Sequence, residues 1–369
     1  MNLSDLAPQY IRDIAPYQPG KPTSELAREL GLNEADIVKL ASNENPLGVS
    51  PKALAAIQKA LPELALYPDG NGFELKATIC KNRGVAMEQI VLGNGSNDIL
   101  ELAARTFLVP GDAAVYSQHA FAVYPLAVKA AGGRGIEVPA VNFGHDLDAM
   151  LGAILAATDN VKLTFVANPN NPTGTFIEAA RIHDFLSKVP RGVIVVLDEA
   201  YTEYLPRELR NHTEHWLAEF PNLIISRTFS KAYGLAGLRV GYGLAHPDVI
   251  QLFNRVRQPF NVNQLAQVGA AAALNDDEFI QESFDVNTCG MMQLTNAFKK
   301  MGLEFIPSFG NFVCVKVGDA GPIFQKLLKQ GVIVRPVASY GMPEYLRISI
   351  GTESQNARFL KALTLALAR

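Results

Sequence analysis

The sequence predicts an α/β protein: an open, mostly parallel sheet covered by helices on both faces, followed by a smaller α+β unit. From about residue 50 to 260, short apolar runs alternate with helical segments. Several of these runs, such as VKLTFVA (161–167) and GVIVVL (192–197), lack polar alternation, as expected of parallel strands buried on both faces. At 369 residues the chain also exceeds one comfortable core, which suggests two units.

In chain order, residues 1–45 read as an arm: IAPYQPGKP (14–22) is too proline-rich for regular structure, and a short helix follows at SELAREL. Residues 46–262 form the expected large unit. SPKALAAIQKAL (50–61) has a Ser-Pro start and helical periodicity. QIVLGNGSNDILELAARTFL (89–108) reads as strand, glycine turn and helix. AAVYSQ, VKLTFVA, GVIVVLDEAY and NLIISRTFS read as strands, with helical stretches such as EAARIHDFLSKV (178–189) between several of them. Residues 263–369 form the expected small unit: a long helical stretch (about 263–301), then EFIPSFGNFVCVKV, a helix near GPIFQKLLKQG, and strands at VIVRPV and YLRISIG.

Composition is that of an ordinary globular protein, 48% hydrophobic and 19% charged. A net charge of −3 gives no electrostatic argument for nucleic acid or an anionic membrane. No run approaches the roughly 18 apolar residues of a membrane span. MNLSDLAPQY shows no basic stretch followed by an apolar one, so no signal peptide is indicated. Cys80, Cys289 and Cys314 have no CxxC or Cys/His spacing; they read as reduced core residues of a cytoplasmic protein rather than a metal site or disulfides.

Chemistry concentrates where the apolar runs stop, which is where open α/β sheets bind ligands. After QIVL, GNGSND (93–98) places glycines before a helix opened by Ser96 and Asn97. Such a turn can cradle a phosphate, or be purely structural; it is not the GxGxxG of dinucleotide binding. VKLTFVA ends in NPNNPTG (168–174), whose three asparagines either shape a turn or point at a ligand. GVIVVL ends in Asp198, a carboxylate that needs a partner, a job or a helix to cap. NLIIS ends in RTFSKAYGLAGLRVGY (227–242), where Thr228 and Ser230 flank Lys231 and Arg239 follows. That lysine is a solvated loop residue, part of an anion site, or an amine with a pKa lowered by a neighbouring cation. A pyridoxal phosphate site would need this whole inventory: an amine, an acid for the pyridine nitrogen, an amide and a phenol for the ring hydroxyl, and a phosphate cradle.

NPNNPTG, LDEAY and SKAYGLAGLRVGY closely resemble the signatures of the fold type I pyridoxal phosphate aminotransferases, in the same order and comparable spacing. The resemblance runs over essentially the whole chain and includes KLASNENPLG, LYPDG (66–70), NFV (311–313) and LRISIG (346–351). Within that family the chain looks most like the histidinol-phosphate aminotransferases. The resemblance implies a large unit built on a seven-stranded, mostly parallel sheet, with the arm packed on the small unit and on a partner subunit. Lys231 would form the Schiff base and move the proton, and Asp198 would pair with the pyridinium nitrogen. Asn171 and Tyr201 would hold the ring hydroxyl, and Phe121 would stack on the ring. Gly95, Ser96, Asn97, Thr228, Ser230 and Arg239 would hold the phosphate, joined by Tyr67 from the partner subunit of a homodimer. Arg347 would clamp a substrate carboxylate, Arg335 and Tyr17 a substrate phosphate, and Asn45 and Asn311 would lie on the substrate side. No metal is implied.

The chain departs from many relatives in SQHAFAVY (117–124), where Phe121 stands for a tyrosine and His119 for a proline-initiated turn. Phe121 can stack but not hydrogen-bond, and with Lys231 available as the base His119 reads as a structural or edge residue. The resemblance implies exchange of an amino group between glutamate and a phosphorylated amine. Aromatic amino acids as substrates, a phosphothreonine-type decarboxylation, or a cofactor-binding regulator without catalysis remain open on sequence.

Overall fold

The structure is a computed structural model that describes residues 2–17, 20–156 and 160–368. Of IAPYQPGKP, residues 14–17 and 20–22 have no regular structure, and Gln18 and Pro19 lie outside the described residues. The chain begins with α1 (Gln9–Arg12), α2 (Thr23–Leu30), β1 (Val38–Leu40), α3 (Pro51–Ala60), α4 (Phe73–Arg83), β2 (Ile90–Gly93) and α5 (Ser96–Phe107). It continues through β3 (Ala113–Ser117), α6 (Val123–Ala130), β4 (Arg134–Val138), α7 (Leu147–Leu155), β5 (Val161–Ala167), α8 (Ala179–Lys188), β6 (Ile194–Asp198) and β7 (Leu223–Thr228). Then come β8 (Gly241–Ala245), α9 (Pro247–Val256), α10 (Gln264–Ala273), α11 (Asp277–Lys300), β9 (Phe305–Ile306) and β10 (Phe312–Lys316). The last elements are α12 (Ala320–Lys329), β11 (Val332–Pro336), β12 (Tyr345–Ser349) and α13 (Glu353–Leu367).

Seven strands form one sheet in the order β2-β8-β7-β6-β5-β3-β4. Only β8 runs against its neighbours; the rest are parallel. The absence of polar alternation has a direct cause. On β6, Val195 and Leu197 pack into one helix layer, with residues of α3, α4, α7, α8 and α10, while Val196 packs into the other, with α5, α6 and α9. Each side chain leaves water whichever way it points. Edge strand β4 (RGIEV) is largely exposed and carries no apolar run, so the sequence pattern passes over it.

The second sheet has the order β1-β11-β12-β10-β9. Its first strand comes from the arm, parallel to β11, and Leu26 of α2 packs with Leu328 and Ile333 behind it. Helices α11, α12 and α13 cover one face, around Phe298, Val313, Leu327, Ile348 and Phe359.

Two expectations need correction. The helical stretch expected over 263–301 is two helices, broken at residues 274–276, and α10 belongs with the large unit because Ala266, Ala270, Ala273 and Leu274 complete its core. Cys289 is not a core residue: it lies exposed on α11, whereas Cys314 is buried and Cys80 half-buried. α11 buries a stripe of Phe279, Ser283, Asn287, Gly290, Leu294 and Phe298, spaced three or four apart, which joins the two units along one helix.

Phe298 is fully buried and meets Phe359 edge-on at 6.4 Å between centroids. We expect Phe298→Ala to cost about 3–5 kcal/mol of stability, read as an earlier urea transition in the small unit.

Candidate active site

β6 and β7 are parallel neighbours with Asp198 paired in register to Ser226, so their carboxyl ends finish side by side. The turn after β7 swings Lys231 back over the end of β6. Above them the small unit presents β11 and β12, and the space between is a cavity of about 220 Å³. Of the residues singled out by sequence, Tyr17, Ser96, Asn97, Phe121, Asn171, Asp198, Tyr201, Thr228, Ser230, Lys231, Arg239, Arg335 and Arg347 line it. Gly95, Tyr67, Asn45 and Asn311 do not.

A half-buried amine and a buried carboxylate share this floor. Lys231 has its pKa lowered to about 8, first by burial and then by the Arg347 charge. The neighbouring-cation effect is thus real but second to desolvation. Its Nζ donates to the Ser42 carbonyl at 3.1 Å and lies 5.9 Å from the Tyr201 ring centroid. Asp198 has its pKa raised to about 6 by burial, against the lowering pull of a hydrogen bond from Tyr124. The Tyr124 hydroxyl donates to Asp198 Oδ2 at 2.8 Å, and its ring stacks on Phe165 at 4.7 Å. Oδ1 of Asp198 is buried without a hydrogen-bond partner.

The glycine turn opens α5 beside the cavity. Gly95 has φ +80°, and a Cβ there would sit 2.6 Å from Arg239 Nη2. A Cβ on Gly241 would sit 2.6 Å from the Ser96 nitrogen, so glycine at that position lets β8 pass against the start of α5. Arg239 Nη1 donates to Ser230 Oγ at 3.2 Å, and the Ser230 N–H donates to Thr228 Oγ1 at 3.1 Å. Hydroxyls, first-turn N–H groups and a guanidinium converge there as an anion site.

The asparagines of NPNNPTG divide their work. Asn168 exchanges hydrogen bonds with the backbone of Ile177, at 2.9 and 2.8 Å, and Asn170 donates to Thr173 Oγ1 and to the His119 carbonyl. Those two close the turn. Asn171 accepts from Arg347 Nη1 through its oxygen. Tyr201 OH accepts from Asn43 Nδ2 at 2.9 Å.

Asn45 and Asn311 lie outside the cavity lining. Asn45 Nδ2 donates to the Ala232 carbonyl and to Ser283 Oγ, both at 2.8 Å, latching the lysine turn to α11. Asn311 Nδ2 donates to the Asn43 carbonyl at 2.9 Å. Both serve the wall from behind. Tyr67 is 83% exposed and stacks on Phe260 at 4.9 Å, away from the cavity of its own chain.

The small-unit wall is cationic. Arg335 and Arg347 are direct cross-strand partners on β11 and β12, so both side chains leave the same face. Arg347 is buried, gives Nη2 to the Ala41 carbonyl at 2.8 Å, and keeps Nε without a partner. Arg335 lies 5.6 Å over the Tyr17 ring. His119 meets the Tyr340 carbonyl through Nδ1 and lies outside the cavity lining, an edge position.

Pyridoxal phosphate fits this donor set. The orphaned Asp198 oxygen suits a protonated ring nitrogen, Lys231 supplies the amine, the α5 turn with Arg239 suits the phosphate, and Phe121 supplies an aromatic face. Sequence reading passed over Asn43, Tyr124 and Tyr340, which also line the cavity. Tyr124 ends the quoted SQHAFAVY and Asn43 sits in KLASNENPLG, but neither segment shows which atoms it will meet.

The family Aminotransferase class I and II matches residues 35–363. Histidinol-phosphate aminotransferase 2 of Nitrosospira multiformis is 61% identical over 368 residues, covering 100% of this chain and 93% of its own. Histidinol-phosphate aminotransferase of Methylobacillus flagellatus is 62% identical over 361 residues, covering 98% and 97%. Among solved structures, histidinol-phosphate aminotransferase from Sinorhizobium meliloti in complex with pyridoxal-5'-phosphate superposes with a TM-score of 0.89. It is 29% identical, with 97% of this chain and 96% of that one covered.

The raised pKa of Asp198 has a stability consequence in the cofactor-free protein. Between its ordinary value of 3.8 and about 6 the folded chain holds a proton that the unfolded chain releases, so this contribution to stability falls as pH rises through that window. Asp198→Asn removes the loss. We expect the variant to be more stable than the parent above pH 6, by up to about 3 kcal/mol, and to lose that advantage toward pH 4 in denaturant titrations.

Proposed function

The chain belongs to the aminotransferase class I and II family, and we propose that it is a pyridoxal phosphate-dependent histidinol-phosphate aminotransferase. It exchanges an amino group between histidinol phosphate and 2-oxoglutarate, giving imidazole acetol phosphate and glutamate, within histidine biosynthesis. The observation that carries the substrate half is the pair Arg335 and Arg347, which makes one wall for two anionic groups. A dicarboxylate and a phosphorylated amine both suit such a wall. The names of the relatives at 61% and 62% identity support the phosphorylated amine over an aromatic amino acid or a decarboxylation.

Bound in this cavity, pyridoxal phosphate supplies the electron sink that stabilises negative charge developing at the substrate Cα. The chain's own residues do the rest. Asp198 would offer its unpartnered oxygen to the ring nitrogen, and Tyr124 holds that carboxylate in place. Tyr201 accepts from Asn43, which leaves its own O–H to donate to the ring oxygen, and Asn171, its oxygen engaged by Arg347, has its NH₂ for the same atom. Phe121, on the cavity wall, would offer the ring an aromatic face. Lys231 Nζ takes the proton from Cα and returns it; a pKa near 8 gives it a neutral fraction at physiological pH. Gly95, Ser96, Asn97, Thr228, Ser230 and Arg239 hold the cofactor phosphate. Arg347 takes the carboxylate of glutamate, and Arg335 with Tyr17 takes the phosphate of histidinol phosphate.

Tyr67 belongs to this reading only through a second copy of the chain. It sits in an exposed apolar stretch with Leu61, Leu64, Leu66 and Phe73, the kind of surface a homodimer covers. In that dimer Tyr67 reaches the cofactor phosphate of its partner, and the arm packs on the other subunit. The reaction belongs in the cytoplasm, in keeping with its small polar substrates. Among the described residues no helix is long and apolar enough to cross a membrane.

The test is a single-turnover titration of the holoenzyme followed by the absorbance of its cofactor. Histidinol phosphate is expected to convert it rapidly, and phenylalanine and tyrosine far more slowly; the reverse order would remove the substrate assignment. Lys231→Ala should abolish turnover and leave the fold intact, and multiple turnovers in that variant would overturn the role of the lysine. Arg335→Ala should reduce kcat/KM for histidinol phosphate by about 2–3 kcal/mol of transition-state binding and spare glutamate by comparison. Equal losses would mean that Arg335 does not hold the phosphate.

A further inference from the structure

Beneath the active-site floor, on the side facing away from the cavity, lies a buried cluster of charges that the reaction does not use. Arg227, the residue before Thr228, is 2% exposed. It pairs with Glu199 at 2.5 Å, Glu214 at 3.7 Å and Glu203 at 3.8 Å. Arg83, at the end of α4, reaches Glu203 at 3.6 Å, and the Tyr233 hydroxyl donates to the same carboxylate at 3.4 Å. Thr213 donates to Glu199 at 2.8 Å.

The placement is systematic. Glu199 adjoins Asp198, Glu203 follows Tyr201 by two residues, Arg227 precedes Thr228, and Tyr233 follows Lys231 by two. Asp198, Tyr201, Thr228 and Lys231 on the cavity side therefore each have a near sequence neighbour in the cluster. Three buried glutamates thus share two arginines, with His212 reaching Glu214 at 3.2 Å, directly behind a carboxylate that must itself stay ionised.

We propose that the Glu199–Arg227 pair is a charge-balancing device for Asp198: Arg227 on β7 neutralises the carboxylate that adjoins Asp198 at the end of β6 and so confines the cluster's charge to the far side of the floor. The inference rests on Asp198 being the partner of the ring nitrogen. Lys231, Tyr124 and Tyr201 face Asp198 from the other elements around it, the first favouring its charged form and Tyr124 holding it by a hydrogen bond. The Glu199 carboxylate acts the other way and pushes the Asp198 pKa up. Arg227 in turn holds Glu199 down against the burial that raises its pKa.

The experiment measures the affinity of the purified protein for pyridoxal phosphate between pH 5 and 8 in parent, E199Q, R227Q and the E199Q/R227Q double variant, with D198N as control. Removing the Glu199 charge relieves Asp198, and Arg227 still has Glu203 and Glu214. The acid midpoint of cofactor binding in E199Q is expected to move down by about 0.5 unit. R227Q leaves buried carboxylates short of a partner and is expected to weaken binding at pH 7 by about tenfold or more. The double variant, which removes both ends of the pair, should recover most of that loss. A purely structural role would make the double variant at least as weak as R227Q and leave the midpoint of E199Q in place. An E199Q midpoint within 0.2 unit of the parent, or a double variant as weak as R227Q, overturns the proposal; if R227Q does not fold, E199Q alone decides it. An acid limb that survives in D198N would instead remove the Asp198 assignment on which the inference stands.

Discussion

The active site depends on taking an acid and an amine out of water at neighbouring strand ends. Burial raises the pKa of Asp198 to about 6 and lowers that of Lys231 to about 8, so each group is held near the pH at which it changes charge. Neither shift is available on a surface loop. It requires strands whose ends are roofed over, and the sheet supplies those because β5, β6 and β7 are parallel and finish on the same edge. The reversed strand β8 is part of the same solution. With glycine at 241 it lies against the start of α5 and brings Arg239 to the first turn of that helix.

The roof is built by the second sheet and the arm acting together. Strand β1 joins β11, which carries residues 41–43 directly over the lysine: Ser42 accepts from Lys231, Asn43 donates to Tyr201, and Ala41 accepts from Arg347. Ser349 of β12 accepts from the Asn43 N–H and donates to its side-chain oxygen, holding a residue at φ +56° that asparagine tolerates better than most. The arm is therefore a structural part of the catalytic wall, and the motif KLASNENPLG is mostly scaffold.

Much of this was legible because it is periodic or chemically conspicuous. Strands buried on both faces show as apolar runs, and a lone acid, a lysine among hydroxyls or an amide-rich turn stands out where such a run stops. What escaped is what has no local signature. β4 is an exposed edge and β8 is glycine-rich, so neither shows an apolar run. Tyr124 reads as one more apolar position of a helix until its hydroxyl is found on Asp198. Asn45 and Asn311 sit in motifs that resemble a binding site, yet their amides are used on the backbone behind it. The cluster around Arg227 was invisible for a related reason: its members come from α4, β7 and three separate turns, and only folding brings them together.

The cationic wall is the part of the site with the clearest energetic cost. Two guanidinium groups carried by directly opposite positions on antiparallel strands repel one another in a partly buried site. Arg347 offsets its share with Asn171 and the Ala41 carbonyl, and Arg335 lies over the face of Tyr17. An anion arriving between the two guanidinium groups is attracted by both, whatever the shape of the group that carries it. A site that must accept two unlike substrates in turn needs that property. What the wall fixes is positive charge at two neighbouring positions. The two guanidinium groups differ in how firmly they are held: Arg347 is locked in a fork by two acceptors, while Arg335 is half-buried over the ring of an exposed tyrosine, so the wall pairs one rigid cation with one more open to solvent.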